Sequence, residues 1–157
     1  MRRHPWWKRP TSRSRRLSPS PEPLEVAAQA LARRDLTEAE LDERLARRGV
    51  PGKKRAEVLE RLRAGRYLDD GRVALDRAGR LAGRDLGDAA IRADLGRRGV
   101  PEDLAEQAVS ALEPEEVRAV RLAGSLGGGP RVARALARKG FDAETIERVV
   151  EAVAEDG

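Results

Sequence analysis

The chain has 157 residues, with 32 lysines and arginines against 27 aspartates and glutamates, enough for one or two small domains or a short repeat array. It has no cysteine and one histidine, His4, which excludes disulfides, thiol nucleophiles and thiolate zinc sites and nearly excludes histidine catalysis. Hydrophobic residues are 39% and charged residues 38%, with only four aromatics, a balance that suits amphipathic helices with thin Ala, Leu and Val stripes.

Residues 1–23 carry a net charge of +6, and Pro and Ser alternate with Arg through TSRSRRLSPSPEP. Such a segment cannot bury enough apolar surface to order itself, so a disordered basic arm is expected. Its Trp6 and Trp7 lie near Lys8, Arg9, Arg13, Arg15 and Arg16. Aromatic rings can stack on unpaired bases while cations bind phosphate, so these seven are the arm's candidates for weak single-stranded DNA binding; a merely solubilising arm is the plainer alternative. No apolar run is long enough to span a membrane, and MRRHPWWKRP lacks the apolar core of a secretory signal. A cytoplasmic protein without membrane contact is expected.

From Leu24 onward the pattern is helical, with helices expected near 24–34, 37–48, 53–64, 70–82, 88–98, 101–112, 114–126, 130–139 and 142–154. Thr37-Glu38-Ala39-Glu40 is a capping box. Pro101 and Pro114 precede acidic pairs, as Pro in a first turn would. Asp142 is a plausible N-cap. Periodicity gives no strand signal.

The chain also contains its own repeat. LARRDLTEAELDERLARRGVP (residues 31–51) aligns without a gap on LAGRDLGDAAIRADLGRRGVP (residues 81–101), and VARALARKGFD (residues 132–142) is a weaker third copy. Periods of this length indicate stacked supersecondary units. The unit reads as three helices whose middle helix has apolar residues at i and i+4: Leu41/Leu45, Ile91/Leu95 and Val132/Leu136. Each middle helix ends in a basic pair and Gly, followed by Val50, Val100 or Phe141 as the hydrophobic contact of the cap. The fold class expected is therefore all-α, an elongated tandem array of three three-helix modules at 24–66, 67–112 and 113–157.

Between the first two modules stands Tyr67-Leu68-Asp69-Asp70. Two adjacent aspartates invite a catalytic or metal reading, but no histidine or second acidic cluster at ligand spacing accompanies them. Local chemistry suffices instead. Asp69 is placed as N-cap of the fourth helix, Asp70 at its positive dipole end, and Leu68 and Val73 as a hydrophobic staple. Tyr67 is expected to pack into the joint between the modules. No catalytic residue, metal or cofactor is nominated.

The same residues carry a family resemblance. Tyr67-Leu68-Asp69-Asp70 followed by Arg72-Val73-Ala74 resembles the YLDD-x-RFA signature of the RecX family, regulators of the RecA recombinase. Gly83, Gly87, Ile91, Leu95 and Gly99 are similar to its G-x-G-x-x-x-I-x-x-x-L-x-x-x-G landmark, with the first spacing wider. RDLTEAEL resembles its R-x-x-S-x-x-E-L element, with Thr37 at the Ser position and Glu40-Leu41 completing it. Val73 and Leu86 stand where the family has larger aromatics, which makes the core smaller without altering its pattern. The resemblance covers roughly residues 27–153. It implies a non-enzymatic monomer that binds the RecA–single-stranded-DNA filament and limits assembly, ATPase, strand exchange and coprotease activity in recombination and the SOS response.

Candidate contacts for RecA or DNA are Lys53, Lys54, Arg55, Arg72, Arg84, Arg97 and Arg98, with Arg47-Arg48 and Arg138-Lys139 as further helix-end pairs. The helix-end pairs are accounted for by complementing dipoles. Lys53-Lys54-Arg55 is different, because it sits at a helix start where cations are unfavourable. Residues 24–66 have net charge +3, and 67–112 and 113–157 have −2 each, so the body as a whole is expected to bind naked DNA poorly. An independent helix-turn-helix reading around Gly99 fails on charge. Its would-be recognition helix, Pro101 to Leu112, contains Glu102, Asp103 and Glu106 and no basic residue. A helical adaptor remains as the other alternative.

Overall fold

The computed structural model describes residues 21–155, and among them there are nine α-helices and no strand. They are α1 Pro23–Arg33, α2 Glu38–Arg47, α3 Gly52–Ala64, α4 Asp70–Ala82, α5 Asp88–Arg97, α6 Glu102–Ser110, α7 Glu115–Leu126, α8 Pro130–Lys139 and α9 Ala143–Glu155. The arm, with its seven candidate residues, lies outside the described residues up to position 20; Pro23, expected in the arm, already opens α1.

The helix ends follow from the residues that close them. The Thr37 hydroxyl accepts from the Glu40 amide at 3.1 Å, and the Glu40 carboxylate accepts from the Thr37 amide at 2.9 Å, which completes the capping box. Asp69 accepts from the Arg72 amide at 3.0 Å, and Asp142 accepts from the Thr145 amide at 2.8 Å. Pro101 and Pro114 are the cap residues themselves, one position before the first helical turn where the sequence suggested them.

At the other end α2, α5 and α8 share one geometry. Gly49, Gly99 and Gly140 have φ of +79°, +75° and +81°. The amide after each glycine reaches back to a carbonyl five residues earlier, from Val50 to Leu45, Val100 to Leu95 and Phe141 to Leu136, each at 3.1 Å. This Schellman closure drives the following apolar side chain onto the helix; Val100 and Phe141 are buried, and Val50 packs half-buried against the first core.

The helices pack in threes, and every substantial helix–helix contact lies within α1–α3, α4–α6 or α7–α9. Each triplet has its own apolar core around the i, i+4 pair of its middle helix. Leu41, Leu45, Ile91, Leu95 and Leu136 are fully buried and Val132 nearly so; each such side chain contributes about 1.5–3 kcal/mol relative to exposure. The result is an elongated tandem array with three small cores.

One expectation fails. Tyr67 does not pack into the joint: it is 70% exposed. The closure of α3 is of the same kind as at Val50, Val100 and Phe141, but here the side chain that follows it is not the one that enters the core. Arg66 adopts φ +59°, and the Tyr67 amide donates to Leu62 O at 2.9 Å, so the residue after the left-handed position is turned back along α3. Its ring covers Gly65, where a Cβ would come within 2.9 Å of the ring carbons. Leu68 turns inward instead and joins the first core, with Val73 buried as well.

Because the Asp69 cap is local, Asp69→Ala should lower unfolding stability by about 1 kcal/mol, with helical content retained. Chemical denaturation followed by circular dichroism measures both.

Candidate functional site

The triplets meet through helix ends. The C-terminal end of α5 lies on the N-terminal end of α2: the Thr37 hydroxyl donates to Arg98 O at 2.6 Å. The C-terminal end of α8 lies on the N-terminal end of α5 in the same way, with the Gly87 amide donating to Lys139 O at 2.8 Å. In each case a partly negative helix end meets a partly positive one. The approach is close. A Cβ on Gly99 would overlap the Ala39 methyl, one on Gly140 would overlap that of Ala90, and one on Gly87 would overlap the backbone of Gly140 and Phe141.

A carboxylate from the next triplet completes each joint. Asp70, the first residue of α4, accepts from the Glu38 amide at 2.8 Å, and Glu115, the first residue of α7, accepts from the Asp88 amide at 2.6 Å. Both amides belong to the first residue of a middle helix and have no partner inside it. The second aspartate of YLDD therefore serves two helices: its charge sits in the first turn of α4, and its oxygen caps α2. Burial pushes the Asp70 carboxyl above its ordinary range. Burial does the same to Glu115, and the neighbouring Asp142 carboxyl adds to it. Asp142 is drawn down to about 2 by that contact with Glu115 and by the Thr145 amide.

Arginines latch the joints. Arg98 binds Glu40 with both ends of its fork, at 2.9 and 3.0 Å, and reaches Asp35 O at 3.2 Å. Burial pushes the Glu40 carboxyl up, but the Arg98 fork and the Thr37 amide outweigh it and hold the carboxyl below its ordinary range. Arg72 bonds Asp35 at 2.8 Å. At the second joint Arg118 is almost wholly enclosed. It donates to Leu86 O at 2.6 Å and Glu113 O at 3.1 Å, pairs with Asp88, and sits 6.0 Å from the Phe141 ring centroid. The sequence reading did not single out Glu115 or Arg118. The available signal was position: Glu115 opens the first helix of its triplet as Asp70 does.

The nominated cations thus divide by what they touch. Arg55 bonds Asp42 at 2.8 Å and Val50 O at 2.9 Å, which locks the α2–α3 turn and accounts for one cation at an unfavourable helix start. Lys53 is exposed, and Lys54 stands 3.9 Å from Glu57 while half exposed. Arg84 is exposed at the second joint, where its carbonyl accepts from Lys139 Nζ at 3.0 Å. Arg72 and Arg98 are latches, whereas Arg97 is 70% exposed and stands 3.6 Å from Asp94. The structure does not gather the seven into one patch.

A crystal structure of RecX from Lactobacillus salivarius superposes on this chain with a TM-score of 0.76, covering 85% of this chain and 95% of that one at 18% identity. A crystal structure of a regulatory protein RecX gives a TM-score of 0.71 over 82% of this chain and 71% of that one at 21% identity. The fold is that of RecX. No family model and no curated protein matches the chain by sequence. In this chain the YLDD motif lies at the start of α4, and its Asp70 crosses to the preceding triplet.

The two glycine caps separate the cost of the joint from the cost of the turn. Gly49 and Gly99 share a left-handed conformation, but a Cβ on Gly49 would meet nothing within 4 Å. Gly49→Ala should cost about 1 kcal/mol for the backbone alone. Gly99→Ala should cost a further ~1–3 kcal/mol from overpacking against Ala39. Paired denaturation curves give the difference directly.

Proposed function

We propose that this chain is a cytoplasmic, monomeric and non-enzymatic regulator of homologous recombination and the SOS response. It binds the RecA–single-stranded-DNA filament and holds back RecA assembly, ATPase, strand exchange and coprotease activity. The observation that carries the reading is the match to the RecX fold over most of the chain, together with a YLDD-x-R motif whose first aspartate caps α4 and whose second reaches across the joint. The three triplets act as modules, with boundaries near 66/67 and 112/113. Their end-on joints hold successive modules in a repeated relation, which suits a partner that is itself a helical repeat of protomers.

Other properties of the described residues support a binding role. No helix is long and apolar enough to cross a membrane. Helix α6 has Glu102 and Asp103 in its first turn and no basic residue in its last, which makes it a poor reader of a phosphate-lined groove. Of the nominated cations, Lys53, Lys54 and Arg84 are exposed and are not consumed by a joint; they are the assigned filament contacts, with Arg97 beside the first joint.

A RecA ATPase assay on single-stranded DNA tests this. A substoichiometric amount of the protein should lower turnover, and Lys53→Glu/Lys54→Glu should weaken that effect without lowering the melting temperature. Unchanged ATPase at protein excess, with free duplex shifted in a gel, would replace the filament regulator with a plain DNA binder.

A further inference from the structure

Two grooves meet at Arg34 beside the first joint, with volumes of about 610 and 470 Å³. Eight arginines line them, delivered by the C-terminal ends of α1, α2 and α5 and by α4. They are far apart in sequence, and the near-neutral charge of the body conceals their concentration.

The plain account is that each arginine complements its own helix dipole, and charge counting shows where that account stops. A helix C-terminus carries roughly half a negative charge, and four such ends supply about two. Asp35, Glu40 and Glu43 also line the grooves, and Asp94 pairs with Arg77 and Arg97. About two positive charges remain uncompensated after the dipoles are counted. The carboxylates are also already engaged: Asp35 by Arg72, Glu40 by Arg98, and Glu43 by Arg47 at 4.0 Å. Arg34, Arg44, Arg48 and Arg80 form no side-chain ion pair among the described residues. The repeat explains Arg48. Its counterpart Arg98 docks on Glu40 of the preceding triplet, and the first triplet has none before it among the described residues.

We propose that these two grooves form one binding surface for the phosphate backbone of a nucleic-acid strand, held by Arg34, Arg44, Arg48 and Arg80. Guanidinium forks fit phosphate oxygens two at a time. An acidic protein segment fits less well, because protein interfaces are centred on apolar anchors and the one apolar residue of the lining, Leu36, is 2% exposed. The surface goes beyond the proposed function, and its test contains no recombinase, so either can fail without the other.

The test is fluorescence anisotropy of a labelled oligothymidine titrated with the full chain over a range of salt. Arg34→Gln/Arg44→Gln/Arg48→Gln/Arg80→Gln is compared with a set of equal charge change on the third triplet, Arg121→Gln/Arg131→Gln/Arg134→Gln/Arg138→Gln. The groove variant should bind at least roughly tenfold more weakly and lose about 2–3 units of log–log salt slope, four contacts at roughly 0.7 each. The other set should change neither by more than about twofold. Equal losses in both sets would reduce the effect to net charge and overturn the proposal. So would unchanged DNA binding, including the case in which the groove variant loses only poly-glutamate binding, which would point to an acidic protein. Melting curves accompany each variant, and if the fourfold variant does not fold, Arg44→Gln/Arg48→Gln is read against the same criteria with half the slope change.

Discussion

The carbonyl end of α5 rests on the amino end of α2, and that of α8 rests on the amino end of α5. Three triplets with separate small cores would otherwise be joined only by turns. Contact between opposite dipole ends gives each joint a direction, and the glycine at each end allows the approach. The acidic first residue of the following helix then satisfies a middle-helix amide that lacks a partner of its own. Placement of side chains on the array's surface depends on this repeated relation, because each triplet is oriented by the N-terminus of the previous middle helix.

The two joints solve one problem with different chemistry. At the first, a threonine hydroxyl, an aspartate cap and a largely buried Arg–Glu fork share the task. At the second, glycine replaces threonine, so backbone bonds to backbone, and the enclosed Arg118 takes over as latch. An enclosed guanidinium is tolerable only with its donors met, and carbonyl oxygens of Leu86 and Glu113 together with the Asp88 carboxylate do so. Among the described residues no buried side-chain polar atom is left without a partner.

Most of the fold was legible because its punctuation is local. The Thr37 box, the Asp69 and Asp142 caps and the Gly closures act within a few residues, and the i, i+4 pairs of α2, α5 and α8 mark the buried stripes. The rest needed three dimensions. Tyr67 looked like joint filler because it is large and central, but its ring lies over Gly65 and the neighbouring Leu68 takes the core position. Asp70 was readable as a dipole partner of α4 but not as a cap for a helix 32 residues earlier. Arg98 and Arg55 looked like free cations because their carboxylates, Glu40 and Asp42, lie in other helices. The arginine-lined grooves were hidden for the converse reason: summed charge says nothing about which helix ends converge.

The claim on which this account rests is that the joints contribute binding energy between triplets and are not passive contacts. A double-mutant cycle on Glu40 and Arg98, built from Glu40→Ala, Arg98→Ala and the pair, measures it by denaturation. The bidentate pair is only about a fifth exposed at each side chain, so the coupling should exceed the 0.2–1 kcal/mol typical of exposed pairs, at about 1–3 kcal/mol. Additive single effects, with coupling below about 0.3 kcal/mol, would contradict the account and leave the triplets tethered by their turns alone.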